Sequence, residues 1–318
     1  MIQIFPKASI IIPARGAMAT LGRAIESILN VADHNDAEII IVNDGLEKAT
    51  AQLADQFPVK VIDGNGKGPA AARNIGVRSS IGQLLVFLDA DCHVSAEWLK
   101  THFDTHQRYS GLLAVGGSIC LEPSSCFWAR CDHYSSWYNV NPGRPAAWIP
   151  NHTPANLSVG RKTFQMAGPF QEDLPRAGVH EESEWQGRLL RLGGRIRFEP
   201  RAKVWHVDRD DLKSYLKHNY WWGYNSLTVK NETEVSRFPW VYKKPWVIVI
   251  GFLPFAIAHT IYTAICWLRV GKVEPIFLIP LLFLGRVTYA IGMVIGRILT
   301  IYRRKRTNLE KIDAYQNR

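Results

Sequence analysis

The chain has 318 residues, 47% of them hydrophobic, and 38 Lys and Arg against 28 Asp and Glu for a net charge of +10. That length holds one large domain with an appendage, or two modest ones, and the absence of internal repeats and low-complexity tracts excludes solenoid and tail-like classes. Basic charge and aromatic clusters come with no recognisable nucleic-acid module, so nucleic acid is set aside as a partner. The five cysteines, Cys92, Cys120, Cys126, Cys131 and Cys266, fit no zinc spacing. With no secretory signal at the N-terminus, reduced thiols in a cytosolic compartment are expected.

Ser9–Ile12 is predicted as a short buried strand closed by Pro13. Leu21, Ala24, Ile25, Ile28 and Leu29 recur at helical spacing and predict an amphipathic helix over 20–31. Glu38–Val42 is a second strand, ended by the turn signal Asn43-Asp44-Gly45. A polar helix over 47–56 and a third strand, Val59–Ile62, follow. This alternation predicts a mostly parallel, doubly wound α/β sheet.

Gly64, Gly66 and Gly68 invite a dinucleotide fingerprint, but Pro69 stands where its third glycine belongs, and no Ser or Thr follows a Gly-Lys pair as a P-loop requires. Pro69 instead suits the first position of a helix over 70–80. Arg73 sits near that helix N-terminus, where it would help bind an anion or simply lie on the surface. Leu84–Leu88 is an unbroken apolar run, the pattern of a strand buried on both faces, and it ends in Asp89-Ala90-Asp91. Carboxyl ends of such strands are where ligands bind. Alternation along the strand would turn both aspartates the same way, as hard oxygen ligands for Mg²⁺ or Mn²⁺ or as solvated loop residues.

Ser95 is expected to cap a helix carrying Trp98, Leu99 and Phe103, and Gly111–Gly117 is another strand. The segment 118–155 reads as a long irregular loop, rich in aromatics that would form a binding surface or pack inward. His180-Glu181-Glu182-Ser183-Glu184 opens a helix that Gly193-Gly194 ends. One acidic residue there is explained by the helix dipole; three are not. Arg195–Phe198 and Ala202–Trp205 are short strands, with His206 at the end of the second.

Trp246–Leu268 is long enough to cross the ~30 Å hydrocarbon core, as is Pro275–Leu299, which carries Arg286 near its middle. An arginine there costs at least ~2.5–3.5 kcal/mol and is usually paired or functional. Two spans, or an interfacial hairpin, are the readings. Lys243 and Lys244 before the pair and Arg303–Arg306 after it put both flanks in the cytoplasm and the 269–274 turn on the far side. The expected division is 1–240 for the catalytic domain, 241–301 for the membrane hairpin and 302–318 for a basic cytoplasmic tail.

Taken in order, these pieces resemble the inverting family 2 glycosyltransferases of GT-A fold, over about Ala8 to Trp222. The resemblance is carried by Ile10-Ile11-Ile12-Pro13-Ala14, Val42-Asn43-Asp44-Gly45, Gly68–Gly76 with its Arg73-Asn74, and Asp89-Ala90-Asp91. Asn156–Arg161, the Gly-Pro-Phe at 168–170 and Val204-Trp205-His206 extend it. It implies a nucleotide-diphosphate sugar donor, with Pro13, Ala14, Asp44 and Arg73 at the nucleotide and Asp89 at ribose or metal. Asp91 would hold Mg²⁺ or Mn²⁺. His206 would be a further ligand or a solvent-facing strand end. The family's Glu-Asp at the helix start is Glu181-Glu182 here, which carries the catalytic base to Glu182 with Glu181 as fallback. The Gln-x-x-Arg-Trp of polymer-making relatives is missing from Lys217–Trp222, which implies single-sugar transfer to a saccharide or lipid-linked acceptor at the cell membrane. Two other classes stay open. A catalytically inactive sugar-nucleotide-binding membrane protein would follow from the Glu at the base position. A sugar-phosphate nucleotidyltransferase would need a basic loop where Pro13–Ala19 offers little charge.

Overall fold

The computed structural model describes residues 7–32, 36–174, 180–233 and 245–316. Its first part alternates as the sequence predicts: β1 (Ala8–Ala14), α1 (Leu21–Leu29), β2 (Ala37–Asn43), α2 (Lys48–Ala54), β3 (Lys60–Asp63), α3 (Pro69–Arg78) and β4 (Leu84–Leu88). β3, β2, β1 and β4 lie side by side and parallel. Their apolar runs are continuous because both faces are covered. Ile10, Ile12, Val86 and Leu88 enter one core, and Ile11, Leu85 and Phe87 enter the other. Each fully buried Ile or Leu contributes about 1.5–3 kcal/mol, so this half of the sheet is a rigid platform for whatever stands at its carboxyl edge.

The remainder comprises β5 (Cys92–Val94), α4 (Trp98–Arg108), β6 (Leu113–Leu121), α5 (Phe127–Ser136), β7 (Ala147–Ile149), β8 (Asn156–Gly160), α6 (Arg161–Ala167), α7 (Glu181–Arg191), β9 (Arg195–His206) and α8 (Leu212–Thr233). The strand order is β3-β2-β1-β4-β8-β6-β9-β5, with β7 also paired to β9. β8 runs antiparallel to both β4 and β6, and β5 and β7 run antiparallel to β9, so the sheet is mixed. The strand–helix alternation that predicts a parallel sheet stops at β4. Only Asp89-Ala90-Asp91 separates β4 from β5, too short a link for a crossover helix.

Three local expectations are corrected. Ser95 does not cap α4: its carbonyl accepts from the Trp98 N–H at 3.0 Å while its hydroxyl is buried without a partner. The 118–155 segment is not one long loop, since it holds the end of β6, all of α5 and β7. β9 is a single strand where two were expected; the break survives as a bulge, with Pro200–Ala202 of β9 standing opposite the Gly117–Ser118 step of β6.

α9 (Pro245–Leu268), the short α10 (Glu274–Phe277) and α11 (Ile279–Gln316) complete the chain. Ile250–Leu268 and Ile279–Tyr302 are long and apolar enough to cross a membrane. The stretch expected as a separate tail begins as a continuation of α11, and Lys243 and Lys244 lie outside the described residues. α8 packs along α11 through Gly223, Gly292 and Gly296, where any Cβ would collide with the backbone oxygens of Tyr289, Tyr220 and Tyr224 respectively. Gly292 and Gly296 form the small-xxx-small spacing that lets helix backbones approach closely.

The turn between α9 and α11 is docked on α5. Glu274 accepts from Arg130 Nε at 2.6 Å and Nη2 at 2.5 Å, and from the Tyr134 hydroxyl at 2.7 Å. Trp267 Nε1 donates to Tyr134 O at 2.9 Å. The 269–274 turn, expected on the far side of a membrane, is thus bonded to the sheet-bearing domain.

Candidate active site

Asp44, Arg73, Asp89, Asp91, Glu181, Glu182 and His206 line one open cleft of about 1560 Å³, together with Pro13 and Ala14 at the end of β1. The cleft lies over the carboxyl edge of the parallel strands.

Asp44 follows the last residue of β2. Asn43 locks this turn with both halves of its amide, accepting from the Glu47 N–H and donating to Glu47 O, each at 3.1 Å. Asp44 Oδ2 accepts the Gly68 N–H at 3.0 Å, tying the turn to the loop that enters α3. Its Oδ1 is buried without a partner, an acceptor open to a ligand's donor. Gly68 holds φ +100°, a conformation that favours glycine.

Arg73, one turn into α3, is buried, donating from Nη2 to Asp89 Oδ1 at 2.7 Å and from Nη1 to Glu181 Oε1 at 3.0 Å. Burial opposes its charge, but Asp89 and Glu181 outweigh that and raise its pKa. The surface reading of Arg73 is therefore excluded. The two aspartates do not turn the same way. The Cys92 N–H closes a turn onto Asp89 O at 3.1 Å, which breaks strand alternation at Ala90. Asp89 goes to Arg73, whereas Asp91 goes to the far strand pair.

That second direction follows from register. Cys92 pairs with His206 across β5 and β9, and the Val207 N–H donates to Asp91 O at 2.9 Å. Asp91 Oδ1 then stands 3.5 Å from His206 Nε2. His206 Nδ1 donates to Asp208 Oδ1 at 2.9 Å, and Asp208 also accepts from His133 Nδ1 at 2.9 Å and Trp137 Nε1 at 2.8 Å. Burial works against both charges. The His206 pKa is nonetheless raised to about 9 by Asp91 and Asp208, and Asp208 is held well below the carboxylate range by the two imidazoles. The residues fit a divalent ion: an outward Nε2 beside a carboxylate, with the other ring nitrogen fixed by a buried acceptor, is how metal-ligating histidines are oriented. The donor atoms of Asp91, Cys92 and His206 all lie within 4.8 Å of one another. Burial pushes the Cys92 thiol well up, so it stays neutral, and the oxygen and imidazole donors suit Mg²⁺ or Mn²⁺.

The three acidic residues of α7's first turn have three fates. Glu184 pairs with Arg188 at 2.8 Å one turn on. Glu181 is clamped by Arg73. Glu182 has no arginine partner among the described residues: it accepts from Ser183 Oγ at 3.2 Å, and His180 Nδ1 stands 3.9 Å away. Burial first, then the Glu181 charge, raise its carboxyl pKa, which makes it a stronger base once ionised.

Asp208 and His133 are absent from the sequence expectations, and Trp137 figures there only among the aromatics of 118–155. The available signal was the His206-x-Asp208 spacing, which places two side chains on one side of an extended segment. It acquires meaning only when β5 is known to pair with β9.

The glycosyl transferase family 2 model matches residues 9–161. Glycosyltransferase AglE of Haloferax volcanii is 25% identical over 262 residues, 80% of this chain and 84% of that protein. The glucosyl-dolichyl phosphate glucuronosyltransferase of the same organism is 22% identical over 229 residues, 65% of this chain and 71% of its own. Among solved structures, the mannosyltransferase PcManGT of Pyrobaculum calidifontis, in complex with GDP-Man and Mn²⁺, is similar with a TM-score of 0.63 at 16% identity. That likeness covers 93% of this chain and 88% of that one and identifies the shared GT-A fold.

Proposed function

Residues 9–161 are a family 2 glycosyltransferase domain, and from that premise we propose that the chain moves one sugar from a nucleotide-diphosphate donor to a hydroxyl of a membrane-delivered saccharide or lipid-linked acceptor, with inversion. The observation that carries this is Glu182. It is the carboxylate of α7's first turn that lines the cleft without an arginine or lysine partner among the described residues.

Asp44 and the Gly68 loop receive the nucleotide base, and Asp89, already oriented by Arg73, receives the ribose. Asp91 and His206 would hold Mg²⁺ or Mn²⁺, which when bound offsets the charge growing on the departing diphosphate. Glu182 removes the proton from the acceptor hydroxyl as that oxygen forms its bond to the anomeric carbon. The bond from that carbon to the diphosphate breaks on the opposite face, so a single displacement inverts configuration. Arg73, held between Asp89 and Glu181, fixes the distance between donor and base.

The Haloferax relative named for a dolichyl phosphate substrate supports a lipid-linked acceptor, and PcManGT supports a GDP-linked donor with Mn²⁺. Membrane anchoring is supported by the outward apolar face of the last helices. Ile250 is 76% and Phe277 80% exposed, more than a soluble core helix shows. The reading puts the catalytic domain on the cytoplasmic side. The test is a donor panel with the purified chain in detergent, reading nucleotide diphosphate release with and without Mn²⁺. Release that Asp91→Ala leaves unchanged would remove the metal assignment.

A further inference from the structure

Arg286 lies inside the apolar stretch Ile279–Tyr302, yet it is only 3% exposed. Its Nη2 donates to Ser135 O and, at 3.1 Å, to Thr263 Oγ1, and its guanidinium carbon lies 5.3 Å from the Tyr138 ring centroid. Its Nε is buried without a partner, and among the described residues it forms no ion pair. Arginine does not shed its proton, so a guanidinium in this setting calls for an anion that the described residues do not supply.

The arginine also lines the cleft that contains Asp91 and Glu182. One stretch of α5 and the residues just after it connects the two ends. Ser135 receives Arg286, Trp137 donates to Asp208 beneath His206, and Tyr138 stacks under the guanidinium. Ser135, Trp137 and Tyr138 are near neighbours in the chain and line the same cleft as Arg286 and His206, so the cation and the strand end belong to one cavity. α9 walls this part with His259, which meets the Tyr138 hydroxyl at 2.8 Å, and with Tyr262. On the same stretches of helix, Ile257, Ile261 and Leu284 are exposed and apolar.

We infer that Arg286 binds the phosphate or diphosphate of the acceptor, whose apolar tail lies along α9 and α11 while its reacting hydroxyl reaches toward Glu182. This rests on the glycosyltransferase reading and specifies its acceptor. A free phosphate or diphosphate would meet the same guanidinium. The exposed apolar side chains beside it favour an ester with an apolar tail.

The test uses the full chain in non-ionic detergent with EDTA, so that no ion at Asp91 competes for the probe. Binding of a fluorescent farnesyl diphosphate is compared with that of the corresponding farnesol. The diphosphate is expected to bind at least about tenfold more tightly, with Arg286→Gln removing that advantage and Arg286→Lys, which keeps the charge, retaining most of it. Equal binding of farnesol and farnesyl diphosphate to the unaltered chain overturns the site without recourse to any variant. So does an advantage that survives in Arg286→Gln of unchanged gel-filtration profile. Inorganic pyrophosphate competing as well as the prenyl ester overturns the lipid source. Mn²⁺-dependent nucleotide diphosphate binding is measured in parallel. Its loss alongside intact, Arg286-dependent prenyl binding would sink the donor reading and leave the anion site standing.

Discussion

Arg73 and Glu181 lie 108 residues apart in sequence and are joined by a buried 3.0 Å hydrogen-bonded ion pair, which leaves Glu182 as the neighbour with no such partner among the described residues. The pair divides two adjacent glutamates between positioning and chemistry. Glu182→Gln should lower turnover by about 10²-fold or more while sparing donor binding. Glu181→Gln should act first on stability, by about 1–3 kcal/mol, because it weakens a satisfied contact to a buried cation. Steady-state kinetics and thermal unfolding of both variants check this. A larger loss of turnover in Glu181→Gln than in Glu182→Gln would reverse the assignment.

The raised Glu182 carboxyl gives a pH dependence with a defined sign. Burial and then Glu181 shift it above the ordinary glutamate value of 4.5. The protonated form is therefore favoured in the folded chain. Its contribution to stability is complete at acid pH and lost as pH rises through the raised pKa, where the base form appears and turnover climbs. The acid limb of the pH–turnover profile should have its midpoint above 4.5, and Glu181→Gln should move that midpoint down. A limb at the ordinary glutamate value, unmoved in Glu181→Gln, would show that Glu182 is not the titrating base.

Asp208 accepts three hydrogen bonds and fixes the ring of His206. Asp208→Asn keeps the size but loses the charge, and its amide can turn a donor toward His206 Nδ1. Loss of such a supporting carboxylate typically costs 10–100-fold in metal affinity or activity. Mn²⁺ titration of the variant by calorimetry should show a drop of that size with the fold retained. Wild-type affinity would separate Asp208 from the metal site.

How much of this could be read beforehand depended on whether a signal was local. The apolar runs of β1 and β4 and the Pro69 helix start are local, and their elements appear where expected. α5 was hidden because Asp132, His133 and Ser135 are buried polar residues facing the cleft network, which erases the apolar period of an amphipathic helix. The opposite directions of Asp89 and Asp91 depend on the turn at Ala90 and on β5 pairing with a strand more than a hundred residues away. Glu274 offered no pattern at all, since its partners Arg130 and Tyr134 lie in another part of the chain. Gly292-x-x-x-Gly296 was a readable packing signal within an apolar run whose length drew attention first.

The docked turn bears on how the chain meets a membrane. Glu274 holds 269–274 to α5, and α11 packs along α8, which itself reaches the cleft where Trp222 meets Trp137 at 5.5 Å between ring centroids. Much of the apolar stretch Ile279–Tyr302 thus flanks the catalytic domain. The basic run Arg303–Arg306 favours the cytoplasmic face as well. Turn and tail on one face are compatible with α9 and α11 lying in the membrane surface, apolar side outward, as interfacial helices do. In a Cys126→Ser background, which removes the exposed thiol, single cysteines replace Lys100 on α4, Lys272 in the turn and Asn308 in the tail. An impermeant thiol reagent added to intact cells should leave all three unlabelled. Labelling of Lys272→Cys with Lys100→Cys protected would break the docking of the turn. Labelling of Asn308→Cys alone would make α11 a crossing helix that carries the tail to the far side.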